Sequence, residues 1–175
     1  MRAAEALREA TPNLVRAMAG TAVLEGYLAI AAALARGSVT PPVAERIALA
    51  VAQSDGWGYC ASSRTEAARR HAHLDPSEIA RARDFRSIEP RAHAALRFVQ
   101  ALLDGQGDLD YAELKAARAA DLTDVELAEI VGHVALNLLI ALFSRAFAID
   151  PDPPDPPAAT TPRRAVRPAS ARRGS

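Results

Sequence analysis

The ten residues from Val134 to Phe143 read Val-Ala-Leu-Asn-Leu-Leu-Ile-Ala-Leu-Phe, and Asn137 is their only polar member. A helix that is apolar on every side has no wet face and needs burial all round. A domain of this size rarely covers one helix completely, so two readings stay open. The segment is either the central core helix of one chain or a helix whose remaining apolar surface packs against a second copy. The second reading predicts a homo-oligomer, a dimer, trimer or hexamer built through this C-terminal helix.

Composition narrows the rest. A chain of 175 residues suits one domain with a full core and is too short for two comfortable ones. Half of it is hydrophobic, dominated by alanine, with only 5% aromatics. That favours closely packed helices over sheets of Val, Ile, Tyr and Phe, and the expected class is all-α. The 21 basic and 21 acidic residues balance, and all the basic ones are arginine except Lys115. Nothing therefore draws the whole chain to nucleic acid or to an anionic membrane. The apolar stretches Ala17 to Ala35 and Val134 to Ile149 are interrupted by Glu25 and by Ser144-Arg145, and the second is shorter than a bilayer requires, so neither is expected to span one. One cysteine forms no intramolecular disulfide, and Met1-Arg2-Ala3-Ala4-Glu5 lacks an apolar signal core, which predicts a cytoplasmic protein. No metal and no cofactor is expected.

Punctuation places the helices. Thr40-Pro41-Pro42 offers an N-cap followed by proline at the first helical position, and Asp75-Pro76-Ser77-Glu78 and Thr123-Asp124-Val125-Glu126 read as capping boxes. Gly37, Gly56 and Gly105-Gln106-Gly107 supply stops, and Glu89-Pro90 opens another helix. The predicted order is Leu14 to Arg36, Pro41 to Ser54, Gly58 to His71, Pro76 to Arg83, Pro90 to Leu103, Tyr111 to Ala119 and Asp124 to Ala148. Residues 1–149 read as one helical domain. From Asp150 the chain turns to Asp-Pro repeats and then to Arg163, Arg164, Arg167, Arg172 and Arg173, a composition with nothing to bury, so 150–175 is expected to be a disordered tail.

The only cysteine stands in Trp57-Gly58-Tyr59-Cys60, between one predicted helix and the next. The first amide N–H groups of a helix lack intrahelical partners and carry partial positive charge, which favours a thiolate. A free cysteine is also among the most commonly buried residue types, so a reactive thiol and a small core hydrophobe are both consistent with Cys60 alone.

The run Glu45-Arg46-Ile47-Ala48-Leu49-Ala50-Val51-Ala52-Gln53-Ser54, then Gly58-Tyr59-Cys60 and Ala61 to Arg70, resembles the core of the carboxymuconolactone decarboxylase superfamily, within it the alkylhydroperoxidase D-like (AhpD-like) branch. Leu24-Glu25-Gly26-Tyr27, Leu74-Asp75-Pro76-Ser77-Glu78-Ile79, Leu122-Thr123-Asp124, Asn137 and Ala148-Ile149-Asp150 fall where that family has similar segments, so the resemblance covers residues 11–150. It implies an AhpD-like bundle of about six to eight helices and thiol-dependent peroxidase activity, the reduction of alkyl hydroperoxides.

The family's reactive motif joins a glutamate, a Cys-X-X-Cys pair enclosing an aromatic or histidine, and a histidine four residues on. By resemblance Glu45 stands at the glutamate, Tyr59 at the aromatic and Cys60 at the peroxide-attacking cysteine. Trp57 replaces the resolving cysteine and Arg64 replaces the histidine. Without a resolving thiol, a sulfenic acid on Cys60 needs an external thiol reductant. Arginine does not release its proton, so Arg64 is a thiolate stabiliser rather than a relay, with Glu45 as proton acceptor. Trp57 and Tyr59 are expected to wall the pocket, with His133 a further candidate for it. His71 and His73 lie too far along the Cys60 helix, and His93 is expected to be exposed. Two other functions stay open: a catalytically degenerate helical oligomer that binds a ligand or partner, and a decarboxylase-like enzyme on a small cyclic acid using Glu45 and Arg64.

Overall fold

The structure, a computed structural model, describes residues 12–54, 65, 67–70 and 72–149. The stretch expected to be a tail, and the residues Trp57, Tyr59, Cys60 and Arg64, lie outside the described residues. Seven helices have defined bounds: α1 Pro12–Met18, α2 Ala22–Leu34, α3 Pro41–Ser54, α4 Pro76–Arg83, α5 Pro90–Asp104, α6 Tyr111–Ala119 and α7 Asp124–Ala146. Thr65 and residues 67–70 are also helical, and no strand occurs among the described residues. The all-α expectation holds.

Local chemistry explains most of the boundaries. Thr123 caps α7 reciprocally with Glu126, and Asp110 caps α6 in the same way with Glu113. At α4 only half of the predicted box forms. Asp75 accepts from the backbone of Ser77 and Glu78, but the Glu78 side chain turns inward instead of returning to Asp75. The expected helix from Leu14 to Arg36 is broken at Ala19-Gly20-Thr21. Gly20 takes φ +74°, and Thr21 donates its hydroxyl to the Met18 carbonyl while accepting from Leu24 N–H. Helix α7 ends at Ala146 rather than Ala148, because Ala148 adopts φ 47° and Ile149 N–H closes back on the Ser144 carbonyl at 3.0 Å.

Helix α3 is the centre of the bundle. Every residue from Arg46 to Ala52 is buried, and α3 packs against α4, α5 and α7. Four alanines in α3 let its neighbours approach closely. Ile47 and Val51 join Phe98, Val99, Leu127, Ile130 and Val134 in the main cluster, and Leu49 and Ala50 join Ala68, Leu74, Ile79 and Leu96 in a second. Each fully buried Leu, Ile or Phe contributes about 1.5–3 kcal/mol relative to exposure. A third cluster holds Leu14, Met18, Tyr27, Ala52, Ile140 and Ala141.

The enclosed helix is thus α3, while α7 is only partly covered. Helix α7 packs on α2, α3 and α5 but exposes Val131, Ala135 and Leu142 along one face. It is long and apolar enough, by length and composition, to cross a membrane, because it begins ten residues before the shorter apolar stretch that starts at Val134. Helix α2 carries a similar stripe: only Tyr27 is buried, and Val23 and Ile30 stand in solvent.

Candidate functional site

Prolines 41 and 42 start α3, and the Thr40 carbonyl accepts from Val43 and Ala44. Glu45 is therefore one turn inside the helix, and the first turn contains no acid. Glu45 therefore lies beyond the exposed amides of the helix start. Its Oε2 is buried and has no hydrogen-bond partner. A buried acceptor without a donor costs about 1–3 kcal/mol, more when charged, so the position is not one that packing alone would select.

His133 presents the complementary case on α7. Its Nε2 is buried and unpartnered, and its carbonyl accepts from Asn137 Nδ2 at 2.8 Å. Burial pushes the imidazole below its usual value, opposed by Glu129 one turn earlier.

The helices that carry these two residues pack against each other. Helices α3 and α7 run parallel: the chain entering α3 is tied to the first half of α7 by Glu129 Oε2, which accepts from Ser38 N–H at 2.6 Å and Val39 N–H at 3.0 Å. Further along, Ala52 of α3 shares a cluster with Ile140 and Ala141 of α7. Residues seven apart lie on one helix face, about 10 Å along the axis. Glu45 precedes Ala52 by seven residues and His133 precedes Ile140 by seven. Glu45 and His133 therefore lie on adjacent parallel helices, each two turns before a residue of that cluster. Helix α2 closes against α7 here, with Leu34 so near Gly132 that an added Cβ would lie 3.0 Å from its Cδ2.

A buried strap holds α3 against α4. Arg46, 6% exposed, donates from Nε to Glu78 Oε1 at 2.8 Å, and Glu78 is 2% exposed. Glu78 also accepts from the Ser87 hydroxyl and from Ile88 N–H, and a second Arg46 nitrogen lies 3.2 Å from Glu89 Oε2. Burial raises the Glu78 carboxyl, but these hydrogen bonds from Ser87, Arg46 and Ile88 outweigh it and leave it lowered. The helical residues after Cys60 are anchored on the same side. Ala68 is fully buried beside Leu49 and Ala50, and Thr65 Oγ1 accepts from an Arg83 nitrogen of α4 at 2.6 Å.

Of the six residues singled out in the sequence, the structure describes Glu45 and His133 and brings them to neighbouring helices. Trp57, Tyr59, Cys60 and Arg64 fall between Ser54 and Thr65, outside the described residues. His93 is not exposed as expected but half-buried, with an unpartnered Nδ1. His73 is exposed at φ 52°, beyond the helical residues 67–70 rather than on a continuous helix. The Arg46–Glu78 strap and the Glu129 cap escaped sequence reasoning, because their partners lie 32 and about 90 positions apart. Among the described residues no group of three or more His, Asp or Glu is arranged to hold a metal. Elsewhere, a cleft of about 320 Å³ lies between α5 and α6, lined by Phe98, four alanines, Arg97 and Glu113.

The helical bundle agrees with the comparisons. Residues 21–104 match the carboxymuconolactone decarboxylase family. A solved structure of an uncharacterized peroxidase-related protein from Silicibacter sp. TM1040 aligns with a TM-score of 0.65 at 18% identity, covering 74% of this chain and 70% of that one. No curated protein matches. Just under half of the chain is thus similar to that family, and the structural likeness shows the fold alone.

Proposed function

We propose that this protein is an AhpD-like thiol-dependent peroxidase that works with one cysteine. The observation that carries the reading is the buried, unpartnered Glu45 Oε2, a proton acceptor held inside the bundle on the helix that leads to Cys60. In the proposed reaction the Cys60 thiolate attacks the terminal oxygen of a hydroperoxide. The S–O bond forms as the O–O bond breaks, giving a sulfenic acid and an alcohol whose oxygen takes up the proton lost by the thiol. One external thiol condenses with the sulfenic acid, releasing water, and a second frees Cys60 from the mixed disulfide. Arg64 favours the thiolate, and Trp57 and Tyr59 form pocket walls.

The exposed apolar faces of α2 and α7 support a homo-oligomer, since Val23, Ile30, Val131 and Leu142 lie on adjacent helices. Replacement of two motif positions at once, Trp57 and Arg64, favours a second reading, a non-catalytic oligomer that binds a ligand or partner. Trapping distinguishes the two. After one equivalent of an organic hydroperoxide, a dimedone adduct on Cys60 is the expected mass-spectrometric product; a thiol left unmodified at that dose contradicts the peroxidase reading.

A further inference from the structure

We propose that the cleft between α5 and α6 binds a small zwitterion with an apolar body, the chemistry of a free apolar amino acid, and that Arg97 and Glu113 hold its two charges. The walls follow from helical spacing. Ala94, Arg97, Phe98 and Ala101 recur on one face of α5, and Glu113, Ala116 and Ala117 recur on one face of α6. With alanine at four of these positions, about 320 Å³ stays open between the helices, at the lower end of the range for small-ligand sites. The floor is fixed before any ligand arrives, because Phe98 and Ala117 are buried members of the main core cluster.

The two charged walls carry opposite signs and do not satisfy each other. Arg97 donates from Nη1 to Gln100 Oε1 on its own helix and makes no ion pair among the described residues, which leaves Nε and Nη2 for a carboxylate. Glu113 Oε2 accepts from Asp110 N–H at 3.0 Å in the capping box of α6, so the side chain is held in place while Oε1 takes no donor among the described residues. Arg118, the other arginine of α6, is already paired with Asp124. A plain carboxylate in this cleft would face Glu113, and a plain amine would face Arg97. A ligand with both groups sets its carboxylate on Arg97 and its ammonium on Glu113, two charge-assisted contacts, and lays its apolar side chain on Phe98 and the alanines. The cleft shares no residue with the Glu45 and Cys60 site, so it stands or falls independently of the peroxidase reading.

Backbone amide NMR of the full chain, titrated with L-leucine and with L-phenylalanine, tests this. Saturable shifts centred on residues 94–101 and 113–117 are expected below roughly 10 mM of at least one of the two. Two relatives of leucine that each lack one charge, 4-methylpentanoate and 3-methylbutylamine, should bind at least about tenfold more weakly than leucine. Arg97→Gln and Glu113→Gln should each weaken the amino acid by about tenfold, and the glutamine at position 113 keeps the capping box. Ala116→Leu, on the exposed rim, should fill the cleft and abolish the shifts while the rest of the spectrum stays that of the folded protein. No saturable shift with either amino acid overturns the site. Equal binding by 4-methylpentanoate or 3-methylbutylamine overturns the zwitterion, and unchanged affinity in both charge variants overturns the roles of Arg97 and Glu113.

Discussion

Arg46 and Glu78 meet inside the bundle, Nε to Oε1 at 2.8 Å, and tie the central helix to the helix that follows the cysteine segment. Removing one partner strands the other charge away from water. Glu78→Ala is expected to destabilise the fold by about 3–5 kcal/mol, and Arg46→Leu by a comparable amount. The double variant Arg46→Leu/Glu78→Leu should cost clearly less than the sum of the singles in urea denaturation, because an apolar pair leaves no unpaired charge.

Two pH windows follow from the shifted groups. Glu78 and Glu126 have carboxyls lowered from 4.5, Glu126 first by the Thr123 amide and then by Arg91. A lowered acid contributes stability above its unfolded value, and that contribution is lost as pH falls through the folded one. Stability should therefore drop below about pH 4.5. His133 is lowered from 6.5 by burial, so the unfolded chain takes up a proton first and a smaller loss begins below about pH 6.5. Chemical denaturation across this range checks both, and His133→Gln should remove the upper loss while leaving the lower.

Gly37 and Glu129 are coupled by space. A Cβ on Gly37 would lie 2.6 Å from Glu129 Oε2, the oxygen that accepts from Ser38 and Val39. The carboxylate is the flexible end of its side chain and can swing away, but only by giving up both amides. Gly37→Ala and Glu129→Gln should each cost about 1–2 kcal/mol, and the pair together little more than either alone. Additive losses in the double variant contradict this arrangement.

The exposed stripe on α7 predicts assembly. Light scattering is expected to give a mass above that of one chain, and Leu142→Asp, at a site 59% exposed, should lower it without unfolding the protein. A wild-type monomer contradicts the oligomer.

Helix positions were largely legible in the sequence because their causes are local. Pro41, Pro76 and Pro90, the Thr123 box and the Gly105 stop set α3, α4, α5 and α7 to within two residues. The break at Gly20-Thr21 was missed because alanine-rich flanks on both sides continue the helical pattern. The site was legible only in part. Glu45 and Cys60 share a segment whose spacing carries a family pattern, whereas the neighbourhood of His133 depends on how α7 docks against α3, which no local signal encodes. The same holds for α2 and α7, whose apolar faces look alike in sequence and differ in burial only once α3 takes the centre.

The central claim is that Cys60 is a peroxide-reactive thiol. Its most direct test is stopped-flow consumption of an organic hydroperoxide in the presence of an excess small thiol, comparing the wild type with Cys60→Ser, alongside titration of the thiol. The account predicts a thiol midpoint below the ordinary value of about 8.5 and consumption that Cys60→Ser abolishes. A thiol that titrates normally, with equal consumption by the two proteins, would contradict it.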